Sequence, residues 1–437
     1  MLRKQEALPQ RYKIFFAIGG LGENVVFQAA TAWLFFFWAG QGDSSKALIP
    51  LGLLGVLLSI GRFIEAFDDP LIGHMSDKTQ SKFGRRFPYI FFGAPFLALS
   101  FFLLWIPIEG TLLLRSLYFF VVLQCFFLTY TLVSAPYEGV LPELAKTSSD
   151  RVSASSWRVL FGILGAALGL VGSSFLITRF GFMAMASILG ITAIVSFWIS
   201  ILGIRKRVTK ASHTKSHLNF FQAIIIILKN KHFMIFSVSL ILFSLGFNLL
   251  NALLPFYVKV VLKKPEVLVG LFSGIILASM LIVLPIQTRL AQKYGKNKIY
   301  AYSMLGLSFL FPLLGFIGII PSTISRIDPL FQTIGVVIAI GIALSGQFIF
   351  PNAILADIID FDAKQTGLRR EAIFYGIQNT LQKFSFALSS LIFGTTLSLF
   401  GSTMEQPLGI RLIGPIAGFF SILGFFVFIK MYKMIDT

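Results

Sequence analysis

Apolar runs long enough to cross a bilayer recur along the whole chain. A membrane-spanning helix needs about 20 residues, most of them apolar, and twelve runs meet that length. Backbone polar groups in lipid must be bonded within the protein, so each run predicts a helix. The sequence therefore predicts an all-α membrane protein with twelve transmembrane helices. The runs cover residues 12–39, 47–74, 87–107, 112–138, 153–178, 182–204, 233–258, 266–288, 298–320, 329–356, 371–400 and 408–430.

The composition also requires lipid as the solvent. The 437 residues are 56% hydrophobic and 13% charged, with a mean hydropathy of +0.82, whereas soluble domains carry about 25% charged residues. The formal net charge of +18 is explained by Lys and Arg in the loops of one membrane face. Nucleic-acid binding is excluded as a function, because no basic soluble domain is present to carry it. A single cysteine, Cys125, cannot form an intrachain disulfide.

The distribution of basic residues predicts the orientation of the chain. The N-terminus, the C-terminus and the loops after even-numbered spans hold 26 Lys and Arg residues, and the opposite side holds 8. Basic loops stay in the cytoplasm. We therefore expect both termini in the cytoplasm and the protein in the plasma (inner) membrane.

The longest polar interruption runs from Arg205 to His232 and carries seven basic residues and no acid. It predicts an N-terminal six-helix bundle at 1–204, a cytoplasmic basic linker at 205–232 and a C-terminal six-helix bundle at 233–437. Loops repeat between the halves: SKFGRRFPY resembles QKYGKNKIY, and PYEGVLPEL resembles PNAILADII. Because duplicated six-helix bundles with a central cavity are a transporter architecture, we expect two pseudo-symmetric bundles.

Four charged residues interrupt the second apolar run within about two helical turns: Arg62, Glu65, Asp68 and Asp69. Glu65 and Asp69 share a helix face because they are four residues apart, and Asp68 is offset by about 100°. Ionisable groups inside a span are costly and mark functional sites by default. The cluster can hold a proton, bind a hard cation, or form structural salt bridges, such as Arg62 with Asp69 or Lys383 with Glu65.

The same stretch carries a family pattern. It reads Glu65-Ala66-Phe67-Asp68-Asp69-Pro70, then Gly73, then Ser76-Asp77-Lys78-Thr79-Gln80-Ser81-Lys82-Phe83-Gly84-Arg85-Arg86-Phe87-Pro88. On these residues the chain resembles the major facilitator superfamily, and within it the glycoside–pentoside–hexuronide:cation symporters, which include the melibiose carrier. Two further stretches are similar to that family: Tyr130-Thr131 with Ala135-Pro136-Tyr137 and Leu141-Pro142-Glu143-Leu144, and Asp357-Ile358-Ile359-Asp360-Phe361 with Lys364, Thr366, Gly367, Glu371 and Gln382-Lys383.

The resemblance implies a major facilitator fold and cation-coupled transport. By position it implies that Glu65 and Asp69 hold the coupling cation, that Thr131 supplies a hydroxyl there, and that Lys383 faces these acids. Lys383 lies near the middle of its span, where an unpaired ammonium is expensive. It is therefore either a functional counter-ion or a static bridge between the halves. With Asp68 beside them, these residues form the predicted cation-coupling set.

Polar side chains of helices 1, 4 and 5 are expected to line the solute site. The resemblance places Arg158 near a sugar, and arginine is a natural donor to hydroxyl or carboxylate oxygens. The sugar-binding acids of the melibiose carrier fall at Asn24 and Ser134, and Glu138 replaces an aromatic residue, so galactoside specificity does not carry over. The alternative is interhelical hydrogen bonding or, for Glu138, pairing with Arg151 or Arg158. The predicted lining set is Glu23, Asn24, Tyr130, Ser134, Glu138 and Arg158.

The loop after the second run predicts a cytoplasmic latch formed by Asp77, Arg85 and Arg86, whose ion pairs hold one conformation until solute and ion bind. His213 and His217 are four residues apart, but no acid or cysteine accompanies them. We therefore expect no metal site other than Na⁺ at the cation site. No nucleophile–base–acid arrangement occurs, which excludes an enzyme. We expect no cofactor apart from the coupling ion.

Three functions stay open at this point. The first is a symporter, coupled to Na⁺ or H⁺, of a small hydroxylated solute of the sugar or glycoside class, working by alternating access. The second is a sodium-coupled lysophospholipid transporter of the same fold, since such transporters resemble this family and also lack the sugar-binding acids. The third is a receptor or scaffold that transports nothing. The expected partners are a small-molecule solute and membrane lipid, and we expect a monomer.

Overall fold

The computed structural model describes residues 8–79, 81, 84–145, 147–208, 227, 229–319, 327–366 and 371–435. Within these residues the regular elements are helices, and no strand occurs among them. The helices are α1 Gln10–Trp38, α2 Leu51–Lys78, α3 Phe87–Leu103, α4 Leu112–Leu144, α5 Ser148–Ala167, α6 Ser173–Val208, α7 Lys231–Phe256, α8 Val267–Tyr294, α9 Lys296–Phe316, α10 Pro329–Thr366, α11 Glu371–Phe400 and α12 Leu408–Ile435.

The helices confirm the predicted fold class. In the described part of the chain, nine helical segments are long and apolar enough to cross a membrane. One of these segments, Ser149–Arg205, has 57 residues, more than twice the length that one crossing requires. Gly181 breaks it, because its backbone angles are φ 84° and ψ 175°. The fifth and sixth predicted spans therefore meet at Gly181, and a π-helical turn at Leu168–Gly172 lies within the fifth.

Several helices extend further than their apolar runs, α4 and α10 among them. α4 continues to Leu144 and α10 continues to Thr366, whereas the runs end at residues 138 and 356. Both extensions carry acids, such as Glu143 and Asp357, so the apolar criterion stopped too early. Helical hydrogen bonding continues past the apolar section because it does not depend on side-chain polarity.

The described helices fall into two compact units. The first comprises Met1–Trp38, Ile64–Thr214 and Pro265–Gly270, and the second comprises Ala39–Phe63, Lys215–Lys264 and Leu271–Thr437. Most of the predicted linker at 205–232, including His213 and His217, lies outside the described residues. The division at 204 and 233 therefore stays a prediction.

In the first unit, α1 is enclosed by α5 and α6. Small residues allow the close approach: an added Cβ at Gly165 would lie 2.4 Å from the carbonyl oxygen of Leu21. Buried polar groups in this core are satisfied across helices, as where Trp33 Nε1 donates to Ser173 Oγ over 2.8 Å. α1 is therefore held rigidly, which fixes the side chains that it presents to α4 and α5. In the second unit, α12 packs against both α7 and α9.

Candidate functional site

Arg158 of α5 joins two carboxylates within the first unit. Its Nη2 donates to Glu23 Oε2 over 2.9 Å and to Glu23 Oε1 over 3.3 Å. The same nitrogen donates to Glu138 Oε1 over 2.7 Å. Glu23 lies on α1 and Glu138 on α4, so one guanidinium connects three helices. Charge-assisted hydrogen bonds of this kind are the strong ones in proteins.

The solvent exposure of the three side chains increases from Glu23 through Arg158 to Glu138. The side chain of Glu23 is 10% exposed, that of Arg158 is 25% exposed, and that of Glu138 is 52% exposed. The backbone of α5 reaches α1 closely at this point, since an added Cβ at Gly20 would lie 3.0 Å from the carbonyl oxygen of Arg158. The absence of a side chain at Gly20 therefore brings the guanidinium within reach of Glu23.

Aromatic rings form one wall of the group. The guanidinium of Arg158 lies 5.3 Å from the centre of the Tyr137 ring, which suits a cation–π contact. Tyr137 is fixed in turn, because its hydroxyl donates to the carbonyl oxygen of Phe16 over 2.6 Å. Tyr130 packs against Phe27 with ring centres 5.1 Å apart. A site with a guanidinium, carboxylates and aromatic faces can bind a polar solute by hydrogen bonds and stacking.

The structure brings together three members of the predicted lining set, Glu23, Glu138 and Arg158. Asn24 does not join them, since its Nδ2 donates to the carbonyl oxygen of Gly20 over 2.9 Å. Ser134 is 8% exposed on α4. Tyr130 is partly exposed on α4, and its ring packs against Phe27 of α1. Of the alternatives left open for Glu138, the observed partner is Arg158, and Arg151 instead donates to the carbonyl oxygen of Ala145.

The predicted cation-coupling residues are distributed over three helices. Glu65 of α2 is 1% exposed and Thr131 of α4 is fully buried. Asp68 is partly exposed on α2, and Lys383 is partly exposed on α11 in the second unit. The backbone of Asp69 continues α2, and its side chain lies outside the described part.

Thr131 has a buried hydroxyl that makes no hydrogen bond within the described part of the chain. Buried hydroxyl groups are usually paired, and each exception requires an explanation. Its oxygen is a hard ligand of the type that Na⁺ accepts, as are the carboxylate oxygens of Glu65. Among the described residues no group of three or more His, Cys, Asp or Glu could hold a metal ion, and a cation site at Glu65 and Thr131 stays a prediction.

The predicted latch residues Arg85 and Arg86 meet an acid of α4. Arg85 Nε donates to Glu143 Oε1 over 2.7 Å, and Arg86 Nε lies 3.3 Å from the same oxygen. The side chain of Glu143 is 6% exposed, so this is a buried ion pair. The Asp77 side chain lies outside the described part. We call Arg85, Arg86 and Glu143 the arginine–glutamate clamp.

A similar contact occurs in the second unit. Lys296 Nζ lies 2.6 Å from Asp357 Oδ2 and donates to the carbonyl oxygen of Ala353 over 2.9 Å. Lys296 follows Gly295, which has φ 90°, and Arg85 follows Gly84, which has φ 99°. Glycine accepts these angles without strain. In both loops a glycine with a positive φ directly precedes the basic residue that contacts an acid of a long helix.

Three residues of these contacts, Glu143, Lys296 and Asp357, were not predicted as functional. A signal for each was present in the sequence, since Glu143 and Asp357 lie in stretches that resemble the family and Lys296 lies in the repeated loop QKYGKNKIY. None could be assigned without knowing that α4 and α10 continue beyond their apolar runs.

A comparison with known protein families shows which family the chain belongs to. Residues 15–429 match the family model described as MFS/sugar transport protein. The chain belongs to this family. It is therefore a transport protein of the major facilitator superfamily and an integral membrane protein with several spans, and the predictions of family, fold class and transporter rather than enzyme are confirmed.

Relatives in this family are named for different substrates. The chain is 26% identical over 409 residues to the uncharacterized symporter YnaJ of Bacillus subtilis (strain 168), covering 90% of this chain and 84% of the relative. It is 26% identical over 441 residues to the sodium-dependent lysophosphatidylcholine symporter 1 of Gallus gallus, covering 90% and 79%. It is 24% identical over 408 residues to a putative sulfoquinovose importer of Salmonella typhimurium (strain LT2), covering 90% and 82%.

A solved transporter of the superfamily shares the fold. The crystal structure of the nucleoside transporter NupG aligns with a TM-score of 0.71 and 15% sequence identity, covering 97% of this chain and 99% of that chain. At this identity the likeness shows the fold alone.

Proposed function

We propose that this MFS/sugar transport family member is a cation-coupled symporter of a small hydroxylated solute of the sugar or glycoside class, working by alternating access. The observation that carries the proposal is the contact of Arg158 with the buried Glu23 and the exposed Glu138. An ionised group inside a membrane protein is expensive and is retained for substrate or ion pathways. Arg158 is such a group, and its side chain is partly exposed.

Arg158 has capacity for a solute. All of its hydrogen bonds within the described residues use Nη2, so Nε and Nη1 can donate to solute hydroxyl oxygens. The exposed carboxylate of Glu138 can accept from solute hydroxyl groups. Sugars present closely spaced donors and acceptors together with apolar ring faces, and the partly exposed Tyr130 would pack against such a face.

The coupling ion is proposed to bind at Glu65 and Asp69, with Asp68, Thr131 and Lys383 completing the set. Support comes from the burial of Glu65 and Thr131, because a buried carboxylate needs a positive partner. Binding of Na⁺ or H⁺ there changes the net charge of the cation site. That charge must be accommodated when the protein changes between its outward-open and inward-open states. This is a physical basis for coupling solute movement to an ion gradient.

The proposed arrangement places both termini in the cytoplasm of a plasma (inner) membrane. The two sequence halves, 1–204 and 233–437, would move about the solute site. In this proposal Asp77, Arg85 and Arg86 form the cytoplasmic latch. Its two arginines would act through their contacts with Glu143 in the arginine–glutamate clamp.

The proposal is tested by uptake of sugars into proteoliposomes with and without a Na⁺ or pH gradient. Glu65→Gln and Asp69→Asn should abolish gradient-driven accumulation, whereas Glu109→Gln, a change of an exposed loop residue, should leave it intact. Unimpaired uphill uptake in both α2 variants would refute the coupling site. The absence of any solute flux in the wild type would favour a receptor or scaffold.

A lysophospholipid is the second candidate for the solute. It is favoured by the chicken relative named as a sodium-dependent lysophosphatidylcholine symporter, which is as similar to this chain as YnaJ by identity. Ligands that bind the folded state raise its melting temperature by mass action. A rise caused by lysophosphatidylcholine in the presence of Na⁺, with none caused by any sugar or glycoside, would select this candidate.

A further inference from the structure

We infer that the transported solute carries a protonated amine, and that Glu138 binds its ammonium group while Arg158 binds its hydroxyl groups. The inference rests on the proposed function, because it uses the same site. It narrows the solute class from sugars in general to amino sugars and closely related amino alcohols.

The first argument is the charge of the group. Glu23 and Glu138 are two carboxylates, and both are bonded to the single guanidinium of Arg158. Within the described residues no other basic side chain forms an ion pair with either carboxylate. With both carboxylates ionised, the group carries one surplus negative charge. A surplus charge between membrane-spanning helices is unfavourable, and a cationic solute compensates it.

The second argument is the pattern of hydrogen bonds. Both oxygens of Glu23 accept from Arg158 Nη2, but only Oε1 of Glu138 does so. Oε2 of Glu138 accepts no hydrogen bond from the described part of the chain. The group thus offers a solute one ionised acceptor at Glu138 and two donors at Arg158. A molecule with an amine next to hydroxyl groups complements all three.

The third argument is the position of the surplus charge. Glu23 is 10% exposed and fully engaged, whereas Glu138 is 52% exposed. The accessible carboxylate is therefore the one with the unused oxygen, and an entering solute reaches Glu138 without displacing the Glu23–Arg158 pair. A neutral hydroxyl could also bond to Oε2, but it would leave the surplus charge in place.

The test compares matched sugars in thermal-shift titrations of the purified full-length protein in detergent. The panel is glucosamine, glucose and N-acetylglucosamine, with the corresponding galactose series, at a pH at which the amine is protonated. The acetylated sugars keep the nitrogen but lose its charge. We expect the amino sugars to have apparent dissociation constants at least about tenfold lower than their neutral partners, which is the effect of one modest ionic interaction.

Variants of Glu138 test whether this carboxylate causes the preference for amino sugars. Glu138→Gln should remove the preference for the amine, and Glu138→Asp should retain it because the charge is kept. Glu109→Gln, which removes a carboxylate from an exposed loop, should behave as the wild type. Each variant must elute as a monodisperse peak and melt cooperatively without solute, so that loss of folding is not read as loss of selectivity.

The outcomes separate the two proposals. Equal binding of neutral and amino sugars, or a preference that persists in Glu138→Gln, overturns the inference and leaves the sugar-transport proposal standing. If no sugar of either kind shifts the wild-type melting temperature, the sugar-transport proposal fails and the inference fails with it.

Discussion

Arg85 Nε donates a 2.7 Å hydrogen bond to Oε1 of Glu143, whose side chain is only 6% exposed. The equivalent contact of the second unit, Lys296 with Asp357, has side chains that are 31% and 61% exposed. Two loops of similar sequence thus place a basic residue on an acid at different depths. This difference matters because the strength of an ion pair depends on its removal from water.

The two ion pairs should differ in their effect on stability. Glu143→Gln leaves Arg85 and Arg86 without this buried carboxylate, and we expect a loss of about 2 kcal/mol or more. Lys296→Gln breaks an exposed pair and should cost less than about 1 kcal/mol. Melting temperatures of the two purified variants in one detergent provide the comparison, and an equal loss in both would contradict it.

Close helix approach in the first unit gives a second prediction. Gly165→Ala would put a Cβ 2.4 Å from the carbonyl oxygen of Leu21, and backbone cannot move aside cheaply. We expect a loss of about 1–3 kcal/mol, as for other overpacked cores. Gly335→Ala is the matched control, since nothing lies within 4 Å of an added Cβ there. It should be neutral or stabilising, because alanine favours helix. Similar melting temperatures for the two variants would count against the packing described for α1 and α5.

Thr131→Val separates stability from ion binding. The Thr131 hydroxyl is buried and has no hydrogen-bond partner within the described residues, so its replacement by a methyl group should leave the melting temperature unchanged or raised. If the hydroxyl is a cation ligand, the extra stability given by Na⁺ should fall at the same time. Thermal shifts with Na⁺ and with choline as its replacement measure both effects. Undiminished Na⁺ stabilisation would remove Thr131 from the proposed site.

Arg158→Lys tests whether the guanidinium shape is required. Arg158 bonds to carboxylates on two other helices and stacks on Tyr137, which an ammonium cannot reproduce. We expect solute affinity to fall at least about tenfold, the effect of about 1.4 kcal/mol. Arg289→Lys on α8, at an exposed position, controls for general effects of the exchange. If the Arg158→Lys variant needs the same solute concentration as the wild type for the same rise in melting temperature, a positive charge alone suffices for solute binding.

The loop between α1 and α2 should contribute to acid sensitivity. The hydroxyl and backbone N–H of Ser45, together with Lys46, hold the pKa of Asp43 below its usual range. A depressed folded-state pKa means that the contribution is complete above the unfolded-state pKa of about 3.9 and is lost as pH falls through the folded-state value. Asp43→Asn should therefore lower the melting temperature slightly at neutral pH, with the difference from the wild type vanishing in acid. A difference that grows in acid would contradict the assignment.

Much of the fold could be predicted from the sequence, because hydrocarbon-length apolar runs admit few structures. The helix ends were harder to predict. Glu143 and Asp357 lie beyond the apolar runs, where composition gives no sign that the helix continues. The clamp partner of Arg85 was therefore missed, since its position depends on α4 reaching Leu144.

The candidate site shows a different limit. Resemblance pointed to Asn24, but the neighbouring Glu23 bonds to Arg158. Adjacent residues differ by about 100° around a helix, and the sequence does not show which of them faces α5. The close approach of α1 and α5 at Gly20 settles this in the structure, and it depends on packing that no local pattern records.

The unequal depth of the two loop contacts has a consequence for ionic conditions. At physiological ionic strength the Debye length is about 8 Å, and charges open to solvent are screened more than buried ones. Salt should therefore weaken Lys296–Asp357 while leaving Arg85–Glu143 nearly unchanged. If both contacts bias the conformational equilibrium, its response to salt would come chiefly from the exposed Lys296–Asp357 contact of the second unit.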